Sequence, residues 1–137
     1  MKRQLFAVTV LLLSASAARL AAGTETPNPA LFAWHNRAET AFAEARKSGK
    51  PVLVDLYAAW CGWCKTMERE VFSQERFQSY AERFVLLRVD VEDGGAGSEL
   101  QSRFRANSLP TLLLLDPKQS LIGSIEGFME TEKLIAR

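Results

Sequence analysis

Hydrophobic and polar positions change rhythm several times along this chain of 137 residues, and each rhythm predicts an element. Leu5–Leu13 is an apolar run broken only by Thr9, and residues 23–30 are small, polar and proline-rich, a flexible lead-in. Leu31–Trp34 reads as a short edge strand. Asn36 with Glu39 three residues on makes a capping-box-like start for a helix over 37–48. That helix places Ala38, Ala41, Phe42 and Ala45 on one face and stops at Gly49-Lys50-Pro51. Residues 51–57 are almost continuously apolar, as in a strand buried on both faces, with Asp55 the exception. Helical spacing returns over 62–70 and 74–82, the latter turning Phe77 and Tyr80 inward, and 84–91 is the next central strand. Gly94-Gly95-Ala96-Gly97 reads as a flexible connector that lacks the lysine and spacing of a phosphate loop, and Ser98 as the cap of a helix over 99–105. Strand 112–115, a turn at 116–119, a hairpin strand over 120–125 and a helix over 131–137 complete the chain. The order βαβαββα predicts an α/β fold, a mixed sheet with helices on both faces and an N-terminal extension.

The N-terminus changes the picture of where the protein works. Lys2 and Arg3 precede the apolar run, and Ser14-Ala15-Ser16-Ala17-Ala18 and Ala21-Ala22-Gly23 come after it, as in an export signal cut within 17–22. The apolar stretch from Leu5 to Ala18 falls short of the ~20 residues that span a bilayer, which favours cleavage over an uncleaved anchor. The reading is therefore a signal peptide over 1–22 and one domain over 23–137, periplasmic in a Gram-negative bacterium and otherwise secreted or tethered by an uncut signal. Removing 1–22 takes Lys2, Arg3 and Arg19 from the 17 basic residues and nothing from the 16 acidic ones, so 14 face 16 and the net charge is −2. Such a balance gives no reason to expect nucleic acid or an anionic membrane as partner.

The chemistry is carried by Trp60-Cys61-Gly62-Trp63-Cys64-Lys65, which holds the only two cysteines. Two cysteines three apart at the start of a helix share a face and reach disulfide distance. Unpaired N–H groups and the positive end of the helix dipole there favour thiolate, the species that attacks disulfides. Structural zinc takes four ligands, and this chain offers two cysteines and one distant histidine, His35, which reads as a surface or capping residue. A purely structural bridge is also a poor fit, because closing so short a loop constrains the unfolded chain by only about 2 kcal/mol. The pair reads as a redox centre, needing neither metal nor organic cofactor.

The chain resembles the thioredoxin superfamily, specifically its exported thioredoxin-like reductases. The resemblance rests on Val54-Asp55-Leu56-Tyr57-Ala58-Ala59-Trp60-Cys61-Gly62-Trp63-Cys64-Lys65, on Leu109-Pro110-Thr111 and on the order of elements. It covers 51–137, with 31–50 matching an extra N-terminal segment of exported members. It implies the thioredoxin fold, with Cys61 as the exposed attacking thiolate and Cys64 as the less exposed resolving thiol. Asp55 would sit beneath the pair, its pKa raised by burial, and take a proton from Cys64. Pro110 would be cis, leaving the Leu109 backbone free to pair with an extended substrate. Trp60 would shield the site or pack in the core, Gly62 and Trp63 would face the substrate, and Lys65 and Arg88 would give at most electrostatic support.

This chain also departs from the family pattern. Trp63 stands where thioredoxin has proline, Tyr57 replaces a tryptophan, Gly94–Gly97 lengthens a connection, and Arg88 takes a lysine's place. An arginine keeps its proton, so Asp55 is expected to be more firmly ionised here. The function expected is a monomeric thiol–disulfide oxidoreductase that reduces protein disulfides and is recharged by a membrane electron donor. The alternatives are a disulfide oxidase or isomerase, and a module holding Cu(I) on Cys61 and Cys64.

Overall fold

A computed structural model describes residues 34–137; the expected signal and most of the edge strand expected at 31–34 lie outside the described residues. The described residues form α1 (Ala38–Ser48), β1 (Val52–Tyr57), α2 (Gly62–Met67), α3 (Glu75–Ala81), β2 (Val85–Asp90), α4 (Ala96–Phe104), β3 (Thr111–Leu115), β4 (Leu121–Glu126) and α5 (Thr131–Ile135). The sheet order is β2-β1-β3-β4, with β1 and β2 parallel and the other two pairings antiparallel. This is the mixed sheet flanked by helices that the pattern predicts. His35 extends it beyond β2, its N–H donating to the Leu86 carbonyl (2.8 Å) and its carbonyl accepting from Arg88 N–H (2.8 Å).

Alternation along the strands divides the core in two. Val52, Val54 and Leu56 pack with Val85, Leu87, Leu113, Leu115, the inner face of α1 and both cysteines. Leu53, Leu86 and Leu112 pack on the other face with Met67, Val71, Phe72, Phe77 and Leu134. Strands buried on both faces must be apolar on both, which is why 52–57 shows no alternation in sequence.

Four local expectations are corrected. Asn36 does not cap α1: Arg37 holds the N-cap position and no side chain caps it. The helix expected over 62–70 is α only to Met67 and then widens into a π-helical turn, Glu68–Phe72, which lets the adjacent Val71 and Phe72 both face the core. Tyr80 is only half-buried and carries the Arg83 guanidinium 4.1 Å above its ring. α4 begins at Ala96, three residues earlier than expected, and Ser98 is not its cap. The Asp93 carboxylate takes that role, accepting from the N–H groups of Gly95 (2.7 Å), Gly97 (3.1 Å) and Ser98 (3.4 Å). Gly97 is buried where a side-chain carbon would overlap the Asp90 carbonyl, so glycine is required there by close approach.

Candidate functional site: a disulfide at the end of the central strand

β1 runs between two partners and ends at Tyr57, so residues 58–64 are delivered to one edge of the sheet by a fully paired strand. The chain turns through Ala58–Trp60, and the Cys61 N–H donates to the Ala58 carbonyl (3.0 Å). Cys61 is the N-cap of α2, with extended dihedrals, and its Sγ accepts the Cys64 N–H at 3.1 Å. Cys61 and Cys64 are joined in a disulfide, their Cα atoms 5.3 Å apart. A sulfur at this position accepts from the first-turn N–H groups that a helix otherwise leaves open, and that favours negative charge on it.

Cys61 is not exposed as expected. It is 4% accessible, because it packs against the first core cluster, whereas Trp60 and Trp63 beside it are 68% and 61% accessible. The bond is buried, while the two indoles next to it in the chain stand out into solvent. Trp60 is thus no core residue: its Nε1 donates to Glu92 Oε1 (2.8 Å). Gly62 and Lys65 are exposed on the same short helix.

The segment before β3 joins the same side of the core. The Leu109–Pro110 peptide is cis, Leu109 packs on the cluster that holds both cysteines, and Thr111 pairs with Leu56 of β1. Thr111 Oγ1 donates to the Ser108 carbonyl (2.6 Å), and Ser108 Oγ to Glu126 Oε2 (3.0 Å). A third segment joins them. Gly127, at φ 81°, donates its N–H to the Pro110 carbonyl (2.8 Å), and the next residue, Phe128, lies against Trp63 with ring centroids 5.6 Å apart. Neither Phe128 nor Glu92 stands out in the sequence. The only signal for Phe128 is a large aromatic directly after the glycine that ends β4.

Asp55 lies within β1, 1% accessible and level with Arg88 on β2. Arg88 Nε lies 3.1 Å from Asp55 Oδ2, an ion-pair distance, yet neither carboxylate oxygen has a well-aligned hydrogen bond. The guanidinium is shared: its Nη2 donates to Glu68 Oε2 (3.0 Å), and it lies 4.4 Å over the Tyr57 ring. Burial therefore outweighs the arginine and, aided by the Glu68 charge, pushes Asp55 up to about 7. This corrects the expectation of a more firmly ionised Asp55, because Arg88 divides its charge between two carboxylates.

His35 stands apart from the cysteines, its Nε2 2.7 Å from Glu44 Oε2 and its Nδ1 3.1 Å from Thr40 Oγ1. Among the described residues no group of three or more His, Cys, Asp or Glu is placed to hold a metal ion, and no helix is long and apolar enough to cross a membrane.

Comparison with known proteins agrees with this geometry. The profile of a family described as thioredoxin-like matches residues 33–117. A thiol:disulfide interchange protein DsbD of Yersinia pestis is 35% identical over 94 residues, 66% of this chain and 16% of that protein. The chain thus spans about one sixth of the length of the curated relatives it matches. A solution structure of a thioredoxin from Thermus thermophilus superposes with a TM-score of 0.67 at 28% identity, covering 75% of this chain and 81% of that one. The oxidised C-terminal domain of Neisseria meningitidis DsbD shares the fold, with a TM-score of 0.62 at 21% identity over 76% of this chain and 95% of that one.

Proposed function

Since this chain belongs to the thioredoxin-like family, we propose that it is an exported thiol–disulfide oxidoreductase that reduces protein disulfides. The observation that carries the reading is the Cys61–Cys64 bond at the start of α2, with its sulfur on a helix N–H and no other cysteine in the chain.

In the reduced protein the Cys61 thiolate attacks one sulfur of a substrate disulfide, forming a mixed disulfide and releasing one substrate thiolate. Cys64 then attacks Cys61 Sγ, forming the intramolecular bond and releasing the second substrate thiolate, so two electrons pass to the substrate. Cys64 must lose its proton for that step. A carboxylate titrating at about 7 suits the task, since it takes a proton near neutral pH and returns it readily. Burial, opposed by Arg88 and aided by Glu68, would set that value, Lys65 would add a weak favourable field, and the substrate backbone would lie along Leu109–Pro110 between the indoles of Trp60 and Trp63.

The cycle leaves the protein oxidised, so a reductant must restore it. A membrane-bound electron donor is proposed to supply it, with the protein acting as a monomer after loss of residues 1–22.

The test is the reduction potential of the pair in thiol redox buffers, read by tryptophan fluorescence. A value near or below about −250 mV supports the reductase direction, and one between about −120 and −180 mV transfers the assignment to an oxidase or isomerase.

A further inference from the structure

We propose that the Trp63–Phe128 aromatic pair is the specificity-determining surface of this site, and that it selects protein disulfides whose cysteine is flanked by a large apolar or aromatic side chain. The inference rests on the exchange reading above and adds the substrate class.

Three observations carry it. The disulfide is buried while Trp60, Gly62, Trp63 and Lys65 beside it in the chain stand out, so a substrate reaching Cys61 must meet these residues first. Among them Trp63 belongs to an apolar platform. Trp63 is 61% accessible although its ring lies against Phe128, so much of the indole surface remains free. A large apolar group left in water beside a reactive centre gains by being covered, and it is covered best by another apolar or aromatic group.

Phe128 is also held in place. It packs on the second core cluster, and the preceding Gly127 donates to the carbonyl of Pro110. The helix bearing the cysteines therefore touches the β4–α5 connection through this pair of rings, and that connection is tied by a backbone hydrogen bond to Pro110. A preformed platform costs a substrate little ordering entropy. Trp60, 68% accessible, is a second exposed indole beside the disulfide, its Nε1 held by Glu92, whereas Trp63 and Phe128 form a platform built from two elements.

The test uses two short peptides, each dimerised through its single cysteine, with Phe or with Ser on both sides of that cysteine. Second-order rate constants for their reduction by the reduced protein are each divided by the peptide's rate with dithiothreitol. The parent is expected to favour the Phe peptide by about tenfold, as one well-placed aromatic contact supplies. Phe128→Ala and Phe128→Gln, two variants so that one misfolding does not decide the matter, are expected to lower the ratio to about twofold, and Phe128→Tyr to retain it. A merely structural lesion would slow both peptides alike and leave the ratio in place. A parent ratio near one, or a ratio unmoved in both ring-less variants, overturns the proposal while leaving the exchange reading intact. A parent that reduces neither peptide overturns the exchange reading and the proposal together.

Discussion

Asp55 and Asp93 are two aspartates of one small domain that the fold drives in opposite directions. Asp55 sits inside the sheet layer with a shared arginine and no well-aligned donor, and burial pushes it up to about 7. Asp93 lies at the start of α4, where slight desolvation pulls it up but three N–H groups outweigh that and hold its carboxyl below the usual range. The difference teaches that the number of aligned donors, set against the loss of water, decides whether a carboxyl is a proton acceptor near neutrality or a permanent anion. The first is fitted to chemistry and the second to architecture.

The comparison is broken most severely at Asp55. Asp55→Asn removes the proton acceptor and is expected to slow disulfide exchange about 10²-fold at pH 7, read by stopped-flow fluorescence. It also changes stability. The group titrates near 3.8 in a solvated chain and at about 7 in the fold. Between those values the folded protein keeps a proton that the unfolded chain has lost, so this residue makes stability fall as pH rises from about 4 to about 7 and level off above. The full span corresponds to at most about 4 kcal/mol. In urea titrations of the oxidised protein, Asp55→Asn should therefore gain on the parent across that window.

Gly97→Ala strikes the other carboxylate's helix, forcing a methyl group onto the Asp90 carbonyl, and should cost about 1–3 kcal/mol in the same titrations. Arg88→Met sharpens the account of Asp55. It removes the cation that opposes burial there, so the Asp55 titration, followed by carboxyl NMR, should move up by about one pH unit. Asp93→Ala is the mildest change, losing a helix cap worth about 1 kcal/mol. That loss should be full above about pH 4 and should vanish as acid protonates the parent's Asp93, the reverse of the trend at Asp55.

The same physics separates the features legible in the sequence from the hidden ones. The strands β1, β2 and β3 and the Cys61–Cys64 pair are plain, because continuous apolar runs and a spacing of three depend on the chain alone. Asp55 is conspicuous as a charge within such a run. Asn36 and Ser98 mislead as caps, since a capping side chain must also point the right way, and the donors of α4 find Asp93 instead. Sequence alone sets Arg88 against one carboxylate, while the π-helical turn brings Glu68 to it as well. Phe128 is invisible because its meeting with Trp63 joins residues far apart in the chain and depends on the turn at Gly127.

β4 closes the sheet on one side, and among the described residues no strand covers its outer margin. Leu121 and Ile122 stand at its beginning, 47% and 58% accessible, with no lysine or proline within the strand to blunt its edge. Unpaired backbone groups beside exposed aliphatic side chains form a template for foreign strands. Any self-association of this protein is expected to begin at that margin, and concentration-dependent light scattering that falls on Ile122→Lys would show it.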